Sequence, residues 1–95
     1  MRQRAFPILL VLAVLAGCST GDGGRAVIEG AGAEEFVKLR AGPGLGYRVI
    51  LGLPDGTSLI RRDCVTELGQ LWCRVSLSSA PGVTGYVSAD YLSGA

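Results

Sequence analysis

The chain has 95 residues, enough for one small domain, and nine basic against eight acidic side chains leave a formal net charge of +1. It contains no histidine, which excludes histidine-based nucleophilic, acid–base and zinc chemistry. A near-neutral chain has neither the basic patch of a nucleic-acid binder nor the polybasic cluster that draws proteins to anionic lipid.

Residues 1–4, Met-Arg-Gln-Arg, are short and basic, and Ala5 to Leu15 are apolar throughout. Leu15-Ala16-Gly17 then lead to Cys18. A basic start, a short apolar run and small residues at its end predict a secretory signal over residues 1–17. The alternative is a transmembrane helix, but that needs ~20 apolar residues and this run is about half as long. Glycine, serine and aspartate follow it, so it cannot be extended.

Leu15-Ala16-Gly17-Cys18 resembles the lipobox of bacterial lipoproteins. The resemblance implies that the Cys18 thiol carries a diacylglyceryl group. Cleavage would fall between Gly17 and Cys18, leaving an amine open to acylation. Each buried CH₂ contributes ~0.8 kcal/mol, and two acyl chains anchor stably where one does not. No other cofactor is expected. Removing residues 1–17 takes away Arg2 and Arg4, leaving seven bases against eight acids, or −1. Charge therefore does not hold the mature chain to a membrane; the lipid would. Ser19 follows the cysteine where an aspartate tends to retain such proteins in the inner membrane, so the analogy points to the outer membrane, facing the periplasm. The alternative for Cys18 is an ordinary secretory signal with a stray cysteine.

Residues 18–33 are rich in glycine and small polar residues, the composition of a flexible tether. Val27 and Ile28 have room for a brief strand within it.

Residues 34–95 change pattern to short strands between turn signals, as in a small all-β barrel or sandwich. Phe36 to Arg40 starts a strand, and Ala41-Gly42-Pro43-Gly44 breaks it and opens a loop reaching Tyr47. Arg48 to Leu53 is the next apolar run. Pro54-Asp55-Gly56 is a tight turn, with proline suited to its first corner and glycine to the left-handed position. Thr57 to Arg62 leads to Cys64-Val65-Thr66. From Leu71 to Leu77 the residues alternate: Leu71, Cys73, Val75 and Leu77 point one way, Trp72, Arg74 and Ser76 the other. Ser78 to Thr84 is a loop and Gly85 to Ser88 a last strand. Ser88 to Leu92 predicts a single helical or 3₁₀ turn capped by Ser88.

Four segments in order resemble the bacterial SH3 (SH3b) family. They are Val37 to Gly44 with Tyr47 to Ile50, Leu53 to Thr57, Leu71 to Val75, and Gly85 to Leu92. The resemblance runs from about residue 36 to 93 and implies a five-stranded, strongly bent, SH3-like barrel. Tyr86 departs from it, since tryptophan is commoner there, and Cys64 and Cys73 are not required by the family.

Those two cysteines flank Glu67-Leu68-Gly69-Gln70. With the turn at Leu68-Gly69, paired residue numbers sum to 137, which sets Cys64 opposite Cys73. The pair falls on a non-hydrogen-bonded site, where Cα atoms stand ~4.5 Å apart, within disulfide range. Export supplies an oxidising compartment. Two free core thiols and a redox pair are the alternatives, though redox cysteines usually stand two residues apart at a helix start.

No catalytic constellation is expected. Asp55, Asp63, Glu67 and the Glu34-Glu35 pair give no facing carboxylates. Gly42-Pro43-Gly44-Leu45-Gly46 lacks the lysine and helix that a phosphate loop needs. No metal site is expected. Binding is the remaining chemistry: Trp72 alternates outward, and exposed aromatics beside polar loop groups make a recognition surface. The family resemblance implies a shallow groove of Tyr47, Trp72, Tyr86 and Tyr91, with Arg40 and Arg48 nearby. Each aromatic has a core-packing alternative. The expected role is a lipid-anchored binding module for peptidoglycan or a wall peptide in the cell envelope. The alternative is an envelope protein-interaction or assembly role with no wall binding.

Overall fold

The computed structural model describes residues 24–94. Residues 1–17 and Cys18 lie outside the described residues, as does most of the expected tether's first half. Among the described residues, no helix is long and apolar enough to cross a membrane.

The fold is all-β. Seven strands run in chain order: β1 Gly24–Ile28, β2 Val37–Arg40, β3 Val49–Leu53, β4 Ser58–Glu67, β5 Gln70–Leu77, β6 Thr84–Ser88 and β7 Leu92–Ser93. A 3₁₀ turn over Ala89–Tyr91 separates the last two. All pairings are antiparallel, in one sheet of order β3-β2-β6-β5-β4-β1-β7. The sheet has seven strands, not five. The two additions, β1 and β7, pair with each other through Val27–Ser93 and Ile28–Leu92. Among the described pairings, β3 and β7 remain edges, so the sheet curls without closing.

The segment expected as tether is part of this sheet. β1 pairs with β4 from Gly24–Arg61 to Val27–Ser58. Ala26 and Ile28 are buried while Arg25 is exposed, the period-two pattern of a strand with one face on a core. Beyond it, the Asp55 carboxylate accepts the backbone N–H groups of Ala31 (2.8 Å) and Gly32 (3.2 Å). Gly56 N donates to Ile28 O at 2.8 Å and Glu29 N to Tyr91 O at 2.9 Å. The glycine-rich stretch is thus held by long-range backbone bonds, which composition does not reveal.

The core gathers Ile28, Val37, Leu39, Leu53, Leu59, Cys73, Val75 and Val87 from six strands. Each β2 residue follows alternation: Val37 and Leu39 inside, Lys38 outside. Gly85 allows the close approach of β2 and β6. A Cβ there would lie 2.8 Å from both Arg40 O and Leu39 Cγ, tighter than real contacts permit.

The turn after β3 differs by one residue from the sequence reading. Thr57 N donates to Pro54 O at 3.1 Å, so Asp55 and Gly56 are its corners and Pro54 precedes them. Gly56 has φ +91°, the left-handed conformation expected of it.

Cys64 faces Cys73 and the two form a disulfide, Cα–Cα 3.9 Å. The register from Glu67–Gln70 to Cys64–Cys73 is the 137 sum. Below it the sum drops to 136, as in Arg61–Val75. One extra residue is accommodated at Arg62-Asp63, opposite Arg74: a β-bulge. Asp63 is ion-paired with Arg74, whose Nε donates at 2.9 Å and Nη2 at 2.6 Å to the same carboxylate oxygen. Those hydrogen bonds, with one from its own backbone, hold the exposed Asp63 carboxyl below its ordinary pKa.

Candidate binding groove

The outer face of the sheet carries Trp72, Arg74 and Ser76 on β5 beside Ser88, Tyr86 and Thr84 on β6, each directly opposite in register. Over this face folds the loop of residues 41–48. Ala41 N donates to Arg48 O at 2.9 Å and closes its base. Arg40 Nη1 donates to Leu45 O and Tyr47 O, both at 3.1 Å, fixing its tip. The Tyr47 ring lies on Gly42, where a Cβ would come within 2.5 Å of ring carbons. Glycine is therefore required at position 42 for the ring to take this place.

Two adjoining hollows result, sharing Leu45, Trp72, Ser88 and Tyr91. The smaller, ≈ 190 Å³, is completed by Phe36, Val37, Lys38 and Arg40. The larger, ≈ 570 Å³, opens between the loop, Pro43 to Tyr47, and the β4–β5 hairpin, Glu67, Leu68 and Gln70, with Asp90 also lining it. Its floor is held by one hydroxyl: Ser88 Oγ accepts from Gln70 Nε2 at 2.7 Å and from Asp90 N at 3.2 Å, capping the 3₁₀ turn. The polarity is divided. Glu67 and Asp90, both acidic, line the larger hollow, and Lys38 and Arg40, both basic, line the smaller.

Tyr47, Trp72, Tyr91 and Arg40 are therefore brought to one surface. Trp72 lies on the outward side that alternation assigns it, yet it is only 6% exposed. The expectation of an exposed tryptophan is corrected. β5 is the central strand, and the back-folded loop and Tyr91 cover the face opposite the core. Ser76, on the same face, is also buried. It takes Nε–H of Arg62 at 3.3 Å and shares a hydrogen bond with Thr84 Oγ1 at 3.2 Å. Leu71, assigned to the core side, is 43% exposed because the hairpin end projects past the core. Tyr86 does not line either hollow; it is half-buried between Arg40 of β2 and Arg74 of β5, directly opposite both. Arg48 is exposed and also lines neither.

Sequence reasoning missed Leu45, Leu68, Glu67 and Asp90 as lining residues. The loop and hairpin that carry them are distant in sequence and meet only through the loop's fold over the face. Among the described residues, no three His, Cys, Asp or Glu side chains cluster as a metal site would need.

Comparison with known proteins agrees with this architecture at one level. The family of bacterial SH3 domains matches residues 35–93. No curated protein and no solved structure matches. The match covers the six strands β2 to β7 with the groove between them, more than half of the chain, and the chain belongs to the bacterial SH3 domain family.

Proposed function

We propose that this chain is a lipid-anchored envelope protein whose SH3 domain binds peptidoglycan or a wall peptide. Membership of the bacterial SH3 family supports a binding module. One observation carries the ligand class: Tyr47 and Tyr91, both exposed, line the groove over the buried Trp72, between an acidic and a basic end. Aromatic faces accept the apolar surfaces of peptides and sugars. The carboxylates of Glu67 and Asp90 suit ligand amines, and the cations of Lys38 and Arg40 suit ligand carboxylates. Short peptides that carry both groups fit this division. The reading assigns no catalytic step to any residue.

Cys18 is the proposed anchor, on the lipobox-like residues that precede it, and the outer membrane is the proposed location. Incorporation of a clickable fatty acid into wild type and its loss in Cys18→Ser tests the anchor. Sedimentation of the mature chain with purified sacculi tests the ligand: the reading expects co-sedimentation, and protein left in the supernatant rejects it. The second reading, docking on an envelope protein, is favoured by the exposed apolar rim of Leu45 and Leu68. Crosslinking in cells that captures a protein while sacculi fail to bind would select it.

A further inference from the structure

The β4–β5 hairpin ends in Leu68-Gly69, with φ +49° and +80°. Two successive positive φ values define the tight hairpin turn that favours asparagine, aspartate or glycine at its first corner. Leucine gains nothing there from the backbone. It gains nothing from the core either, since Leu68 is 103% exposed. Glu67 is exposed beside it, and Leu71 on the same hairpin is 43% exposed. The disulfide Cys64–Cys73 braces the hairpin behind this tip. Together with Leu45, 76% exposed across the same hollow, this strained and wholly exposed leucine forms an apolar rim that points to an apolar surface outside the molecule.

The path of the chain indicates which surface. β1 runs antiparallel to β4, with Val27 opposite Ser58 and Gly24 opposite Arg61. Going backwards from Val27 to Gly24 therefore advances along β4 toward Leu68. The chain enters the sheet from the hairpin-tip side. Six peptide links join Cys18 to Gly24 and reach at most ~22 Å. Arg61 to Leu68 spans about the same distance at ~3.3 Å per strand residue. At full stretch that reach is long enough to bring a lipid on Cys18 up to the level of Leu68.

We infer that the β4–β5 hairpin tip rests in the bilayer surface, with Leu68 inserted among the upper acyl carbons and Glu67 at headgroup level. This rests on the lipid-anchor reading of Cys18. The anchor supplies residence at the membrane; Leu68 fixes orientation. It also sets the larger hollow, which Leu68 lines, at the membrane end of the domain.

The test uses the full lipidated protein in vesicles of phosphatidylethanolamine and phosphatidylglycerol with brominated acyl chains. Leu68→Trp is compared with Ser79→Trp, in the loop at the opposite end of β5, each corrected for the emission of Trp72. The inference expects Leu68→Trp to be quenched several-fold more than Ser79→Trp. It also expects Leu68→Asn to raise the thermal midpoint, by suiting the turn, yet to speed hydrogen exchange of amides 66–71 on vesicles by on the order of tenfold. Equal quenching in protein that floats with the vesicles overturns the hairpin contact and leaves the anchor standing. Protein that does not float overturns both. Quenching absent while soluble peptidoglycan fragments shift the Leu68→Trp emission assigns Leu68 to the groove's ligand and overturns the inference.

Discussion

The carboxylate of Asp55 accepts the backbone N–H of Ala31 at 2.8 Å, joining residues 24 positions apart in sequence. It also accepts from Gly32. One turn residue therefore secures the chain that leads from β1 into the domain. Ile28, fully buried, inserts the same segment into the core. Among the described residues, the folded unit therefore includes β1, ahead of the start of the family match at residue 35.

Ile28→Ala is expected to lower unfolding free energy by about 2–5 kcal/mol, the cost of emptying a core site. Asp55→Ala removes two hydrogen bonds and should cost about 1–2 kcal/mol. Urea denaturation of the mature protein measures both. Wild-type midpoints in both variants would show that residues 24–32 contribute nothing to the folded unit.

Reduction of Cys64–Cys73 is expected to cost about 2–3 kcal/mol, the loop-closure value for a ring of this size. The denaturant midpoint should fall in Cys64→Ser/Cys73→Ser as it does with reductant, while the hairpin register persists. Alkylation of both cysteines to the same extent without reductant as with it would mean that no bridge forms in the isolated protein.

Asp63 is held below its ordinary pKa of 3.8, chiefly by the hydrogen bond from Arg74. A depressed carboxyl stabilises the fold above the unfolded-state pKa, and that stabilisation is lost as pH falls through the lower folded value. The effect therefore belongs to pH below about 4, and the exposure of the pair keeps it small. Carboxyl-carbon NMR should follow Asp63 titrating below the ordinary aspartate range. Arg74→Met should return it upward; an unmoved titration would assign the depression to the bulge backbone.

Gly42→Ala would drive a methyl group into the Tyr47 ring, whose carbons lie 2.5 Å from the built Cβ. The expected outcome is weaker ligand binding with little loss of stability, because Tyr47 is half exposed and outside the core. Gly85→Ala should show the reverse emphasis. Its neighbours at 2.8 Å include the backbone oxygen of Arg40, so the fold itself must shift. Paired affinity and denaturation curves separate the two effects.

Much of the sheet was legible because its strands are local and alternate. The hairpin register followed from one two-residue turn, and Ser88 as the cap followed from residue type. The bulge at Arg62-Asp63 was not legible, since nothing in that polar run marks where the pairing slips. Of β1 only a brief strand at Val27 and Ile28 was legible; its glycine-rich surroundings hid the rest, although Ala26 and Ile28 alternate with Arg25 and Val27. Its partner lies 37 residues away, at Gly24–Arg61. Trp72 had the right side and the wrong exposure. Alternation tells which face a residue takes, and not what a distant loop lays over that face.

In the proposed function, ligand enters the groove between the 41–48 loop and the β4–β5 hairpin. Titration of ¹⁵N-labelled mature protein with soluble peptidoglycan fragments tests it most directly. Shifts are expected on Leu45, Tyr47, Gln70, Tyr91 and the Trp72 indole, and are expected to vanish in Tyr47→Ala. Shifts confined to the β3 edge, or none at saturating fragment, would contradict it.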